Sequence, residues 1–253
     1  MTKIRSGIIR LVFLLLIVSP CYAVINVGTV EFDPPYVISL NQGFEIELVK
    51  SICHQLNQEC IFKRMDYNKL FSALDSGSID LAMDNIDFYV SPNALNGDYL
   101  YSFPYLLSKG QFLVLKSSGI KSVHDLPAGS KIGLVREQAQ QNQGIFYNFF
   151  LNKYKSQFKV VIFDDLDSLL TNLTSGNIDA AFLDRGEVNY WVLDESKQFK
   201  ALGNPMKVAD GIGLMSLPSN ASLMAQVNQA LEQLEQSGEY SALYTTYFGI
   251  SNY

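Results

Sequence analysis

Apolar positions along this chain follow two periods in alternation, and the alternation itself repeats. Val24–Val30 is a short apolar run that reads as a strand. Over Gly43–Leu56, Phe44, Leu48, Ile52 and Leu56 recur every four residues, which predicts a helix with one apolar face, and Cys60–Arg64 reads as a second strand. Next comes Leu70-Phe71-Ser72-Ala73-Leu74-Asp75-Ser76-Gly77-Ser78-Ile79-Asp80-Leu81-Ala82-Met83. It returns at an offset of 99 as Leu169-Leu170-Thr171-Asn172-Leu173-Thr174-Ser175-Gly176-Asn177-Ile178-Asp179-Ala180-Ala181-Phe182. In both copies leucines four apart mark a helix, and a glycine stands where a helix stops in the left-handed conformation. Ile-Asp and a small apolar run then predict a buried strand.

The second copy has its own preceding parts: a strand at Lys131–Val135, a helix within about Gln140–Lys155 and a strand at Lys159–Phe163. Two βαβαβ units predict an α/β protein of two Rossmann-like lobes with mostly parallel sheets. Gln111–Leu115 and Asp210–Ser216 flank the second unit and read as two hinge crossings, so the chain leaves the first lobe and returns. The expected division is residues 24–113 with 211–253 as lobe one and 114–210 as lobe two. A helix at about Ser222–Gln236 would pack back on lobe one, ended by Gly238, with a last short helix at Tyr240–Phe248.

The first 23 residues stand apart. Lys3, Arg5 and Arg10 precede the apolar run Leu11–Val18, and Cys21-Tyr22-Ala23 puts small residues at the −3 and −1 positions, the pattern of a cleavable secretory signal. The run is shorter than the ~20 residues a membrane-spanning helix needs, although an uncleaved anchor stays an alternative. Cys21 is also a conceivable lipidation site, which Pro20 disfavours. Beyond Ala23, sixteen Lys and Arg stand against 25 Asp and Glu, a net charge of −9. That excludes nucleic acid and anionic membrane surfaces as natural partners, since both reward clustered cations. In an exported chain the lone pair Cys53 and Cys60 reads as a disulfide rather than a metal site.

Ligands in open parallel sheets sit beyond the carboxyl ends of the strands. The repeat places Asp84-Asn85 after the third strand of lobe one and Leu183-Asp184 after its counterpart. Glu31 to Asp33 and Arg136 to Gln138 lie at the exits of the two first strands. One cleft would thus collect Asp33, Asp84, Asn85, Asp87, Arg136 and Asp184. No phosphate loop, zinc-protease motif or nucleophile elbow is present, so neither a cofactor, a metal nor a catalytic residue is expected. His54 and His124 read as surface residues, and the alternation Tyr99, Tyr101, Phe103, Tyr105 as packing.

With these residues placed, the chain resembles the polar amino-acid group of type II periplasmic binding proteins, which includes histidine- and lysine/arginine/ornithine-binding proteins. The resemblance rests on Val27-Gly28-Thr29 through Pro34-Pro35-Tyr36, then Gly43-Phe44-Glu45-Ile46-Glu47-Leu48. It continues through the Cys53/Cys60 pair, both Ser-Gly-x-Ile-Asp segments and Phe103-Pro104-Tyr105, and ends with Gly238-Glu239-Tyr240 leading to Tyr247-Phe248-Gly249. It implies a monomeric periplasmic protein, closing by hinge motion on a small polar ligand and presenting it to the permease of an ABC transporter. It also implies that Asp184 receives the ligand's ammonium, that Tyr67 stacks on its side chain, and that the cysteines are bonded.

Several family positions differ here. The arginine that would clamp a ligand carboxylate is Pro92, the hydroxyl residues before it are Asp84, Asn85 and Asp87, the tyrosine before Pro-Pro is Asp33, and Gly-Thr is Glu137-Gln138. A buried carboxylate without its guanidinium loses about 2–5 kcal/mol. Either Arg136 replaces the clamp for a basic amino acid, or the ligand is an amine or polyamine. A periplasmic enzyme of the cyclohexadienyl dehydratase type and a sensory receptor are the alternatives from other classes.

Overall fold

A computed structural model describes residues 24–89, 99–137, 144–193 and 198–249. The segment read as a secretory signal, with Cys21, and the positions Pro92 and Gln138 lie outside the described residues. Strand β1 (Val24–Thr29) is followed by helix α1 (Phe44–Gln55), β2 (Glu59–Arg64), α2 (Tyr67–Asp75) and β3 (Leu81–Ala82). Short strands β4 (Asp87–Phe88) and β5 (Leu100–Tyr101) lead to β6 (Lys109–Leu115). The second unit runs β7 (Lys131–Val135), α3 (Gly144–Tyr154), β8 (Lys159–Phe163), α4 (Leu166–Thr174), β9 (Ala180–Asp184) and α5 (Arg185–Leu193). Strands β10 (Phe199–Lys207), β11 (Gly211–Ile212) and β12 (Met215–Ser216) precede α6 (Ala221–Ser237) and α7 (Glu239–Phe248).

The strands form two five-stranded sheets, in the orders β2-β1-β3-β12-β5 and β10-β6-β9-β7-β8, and the pair β11-β4. In each large sheet the three strands of the βαβαβ unit run parallel, and the other two are added through antiparallel pairings, β12 and β6 running against the unit and β5 and β10 along it. The sheets are therefore more mixed than the repeat alone predicts, because the connecting segments also pair. β6 already lies in the second sheet, so the chain changes sheets before Lys109, and β12 is back in the first.

The repeat carries its geometry with it. α2 and α4 are both nine residues long, and Gly77 and Gly176 follow them at φ +69° and +72°, where a side chain would be strained. Leu70 and Leu74 of α2, and Leu169, Leu170 and Leu173 of α4, are buried against their own sheets. On the first sheet α1, α6 and α7 cover the opposite face, with Phe44 meeting Tyr105, Tyr240, Tyr247 and Phe248 ring to ring. Phe182 of β9 plays the same part in the second sheet, packed among Phe112, Phe146, Phe149 and Phe150. Cys53 on α1 and Cys60 on β2 form a disulfide, Cα to Cα 6.1 Å, which ties helix to strand. Among the described residues no helix is long and apolar enough to cross a membrane.

Candidate functional site

The carboxyl ends of the parallel strands of both sheets face one cavity of about 470 Å³, within the usual range for a small-molecule site. Asp33, Tyr67, Asp84, Asn85, Asp87, Arg136 and Asp184 all line it. Among the described residues, eleven carboxylates and two arginines surround it. Both arginines are already engaged at the rim: Arg64 with Glu31 at 2.8 Å and Arg136 with Asp164 at 2.6 Å.

Each inner carboxylate is positioned by a local device. Asp184 ends β9 and accepts the N–H of Gly186 at 2.6 Å, while Glu187 accepts the N–H of Asp184 at 2.7 Å. This reciprocal arrangement caps α5, and the spacing Asp184-x-x-Glu187 is a helix-start signature. The Tyr36 hydroxyl, from the loop after β1, donates to the same Asp184 oxygen and joins the two sheets. Gly186 makes this possible, since a Cβ there would lie 2.3 Å from the Tyr36 hydroxyl oxygen. The second oxygen of Asp184, Oδ2, is buried with no partner.

After β3, Asp84 and Asn85 take φ +139° and +53°, conformations that non-glycine residues avoid. Glu45, fully buried in the first turn of α1, holds this turn: both its oxygens accept the Asn85 N–H at 3.0 Å, and Tyr105 donates to Oε1. Asp84 and Asp87 are 4% and 8% exposed, and an oxygen of each (Oδ1) is buried without a partner. The Asp33 carboxyl lies against those of Glu187 and Asp84, close enough that one of each pair keeps its proton.

Burial dominates the electrostatics. It lifts the Asp33 and Glu137 carboxyls to about 7 even though both keep a partial opening to the cavity, and it lifts Glu45 to about 7 and Asp184 to about 6. For Asp184, bonds from Tyr36 and Gly186 pull back against burial. Asp84, Asp87 and Glu187 lie well above the ordinary carboxylate range, again from burial first, and for Asp84 and Glu187 from the charge of Asp33 next. Among the described residues no group of three or more His, Cys, Asp or Glu is placed to hold a metal ion.

Three residues of the site escaped the sequence reading. Glu187 was legible from its spacing to Asp184. Glu45 and Tyr36 were not, because a carboxylate in a first helical turn and a tyrosine after Pro-Pro read as surface and loop.

The description "bacterial extracellular solute-binding proteins, family 3" matches residues 25–250. The arginine-binding protein 1 of an ABC transporter of Escherichia coli is 25% identical over 231 residues, covering 88% of this chain and 90% of its own. The histidine-binding periplasmic protein of Escherichia coli is 24% identical over 243 residues, covering 90% of this chain and 89% of its own. Among solved structures, an arginine transport-system periplasmic binding protein of Legionella pneumophila superposes with a TM-score of 0.78 at 26% identity, covering 88% of this chain and 99% of its own.

Proposed function

The chain belongs to family 3 of the bacterial extracellular solute-binding proteins, and we propose that it is the substrate-binding component of an ABC uptake transporter. It takes up a small basic solute, a basic amino acid or the amine related to one, in the periplasm, as a monomer delivering to an inner-membrane permease. The observation that carries this reading is the set of unpartnered, buried oxygens on Asp84, Asp87 and Asp184 around one cavity. A buried acceptor left without a donor costs about 1–3 kcal/mol, more for a charged group, and a cation supplies the donor.

The same charges give closure its logic. Asp33 and Tyr36 come from one sheet's loops, and Asp184 and Glu187 from the other sheet. With their protons lost, the acids on the two sides repel each other. A cation between them turns that repulsion into attraction, so the hinge closes on the ligand it is built to carry. Asp184, with one oxygen spent on its helix cap, offers the other to an ammonium or guanidinium, and Tyr67 at the cavity wall offers a ring to its carbon chain.

We read the chain as a binder rather than an enzyme. Its known relatives arginine- and histidine-binding proteins support that, and turnover of prephenate or arogenate would overturn it. The test is thermal unfolding of the purified protein against basic, neutral and acidic solutes. A ligand at about a thousand times its dissociation constant adds about 4 kcal/mol, which raises Tm by roughly 8–16 °C at this size. Shifts confined to basic solutes are expected; shifts confined to acidic or neutral ones would contradict the reading.

A further inference from the structure

Resting on the reading above as a carrier of a basic solute, we infer that the ligand carries no carboxylate: it is an aliphatic diamine or guanidinoamine, the decarboxylated counterpart of a basic amino acid. The argument turns on where a ligand carboxylate could sit. The first turn of a helix is a ready anion seat, because its N–H groups have no intrahelical partner. The cavity has such a turn at the start of α3, and the protein fills it with its own carboxylate. Glu137, two residues after β7, accepts from the N–H groups of Ile145 at 3.1 Å, Phe146 at 3.2 Å and Tyr147 at 3.2 Å. Gly144, at φ +80°, leaves room for it: a Cβ at that position would lie 2.4 Å from the Glu137 carboxyl carbon.

Among the described residues, the other counter-charges at the cavity are already engaged. Arg64 and Arg136 are paired with Glu31 and Asp164. No lysine lines the cavity among the described residues. Among the described residues, a ligand carboxylate would therefore meet the unpartnered oxygens of Asp84, Asp87 and Asp184 and find no cation that is not already paired. Those oxygens, each on a side chain at least nine-tenths buried, instead ask for donors. A chain with a cationic group at each end supplies donors to both sides of the cavity and brings no negative charge.

The experiment is titration calorimetry with matched pairs that differ only in the carboxylate: agmatine against arginine, and cadaverine against lysine. The amine of at least one pair should bind about 30-fold or more tightly than its amino acid, the factor that matches an unpaired buried charge. Glu137→Ala vacates the anion seat and should cut that preference by about tenfold or more, by strengthening amino-acid binding. Glu137→Gln keeps an acceptor on the α3 N–H groups and should leave the preference in place. Tighter binding of arginine or lysine than of its amine partner overturns the inference while leaving a basic-solute carrier intact. Binding of neutral or acidic amino acids in place of both members of each pair removes the inference and the underlying reading together.

Discussion

Raising the pH should destabilise the empty protein, the reverse of ordinary acid denaturation. Glu45 shows why most cleanly, since it is fully buried and its carboxyl is held at about 7 against an ordinary 4.5, burial being the largest cause. The folded state keeps a proton there that the unfolded chain gives up. Stability tied to that proton is complete below the unfolded value and drains away as the pH climbs through the folded one. The separation is worth about 3 kcal/mol, at roughly 1.4 kcal/mol per pH unit. Asp33 and Asp184, the two acids whose charges act on Glu45, are themselves lifted, to about 7 and about 6, and so pull in the same direction. For a chain of this size 1 kcal/mol moves Tm by about 2–4 °C, so a fall of about 5–10 °C is expected between about pH 5 and about pH 8. Differential scanning calorimetry without ligand measures it, with Glu45→Gln as the control whose slope should be shallower. A Tm that climbs over this interval, or an undiminished slope in Glu45→Gln, would refute the reasoning.

Asp184→Asn keeps an acceptor for the α5 cap but removes the charge, so basic-ligand affinity should fall by about 30-fold or more with little loss of Tm; calorimetry and a melt on one sample separate the two effects. Replacing Cys53 and Cys60 by serine opens a short loop and should cost about 2.5 kcal/mol, a Tm drop of roughly 5–10 °C; an unchanged melt would mean the bond adds nothing. Gly43→Ala forces a side chain onto a residue at φ +137° whose Cβ would lie 2.3 Å from the Tyr36 carbonyl oxygen. The clash is with backbone, so about 2 kcal/mol or more should be lost, read from denaturant midpoints.

The parts of this protein that were legible in its sequence are those governed by local periodicity. The 99-residue repeat set out α2 with β3 and α4 with β9, because leucine spacing, a helix-ending glycine and a buried apolar run each have a local cause. The lone cysteine pair and the start of α1 after Gly43 were readable on the same ground. What stayed hidden depends on the third dimension. β10 contains Gly203-Asn204-Pro205 and looks like a loop, yet pairs with β6 around a bulge between Leu202 and Met206. Glu45 sits on a helix whose apolar stripe is read from Phe44, Leu48 and Ile52, and only the fold of the Asp84-Asn85 turn gives it something to hold. Asp33, Asp84, Asp87 and Asp184 could be placed at the cavity because strand ends are places one can count to. That Glu137 closes the α3 N-terminus depends on the fold bringing the end of β7 against the start of α3.

The most direct test of the account is a crystal structure of the protein with the tightest basic solute from the unfolding screen. The account predicts the solute in the cavity between the two sheets, its nitrogens within about 3 Å of Asp84 Oδ1, Asp87 Oδ1 and Asp184 Oδ2. A solute lying elsewhere, or one whose carbon or carboxylate faces those oxygens, would contradict it.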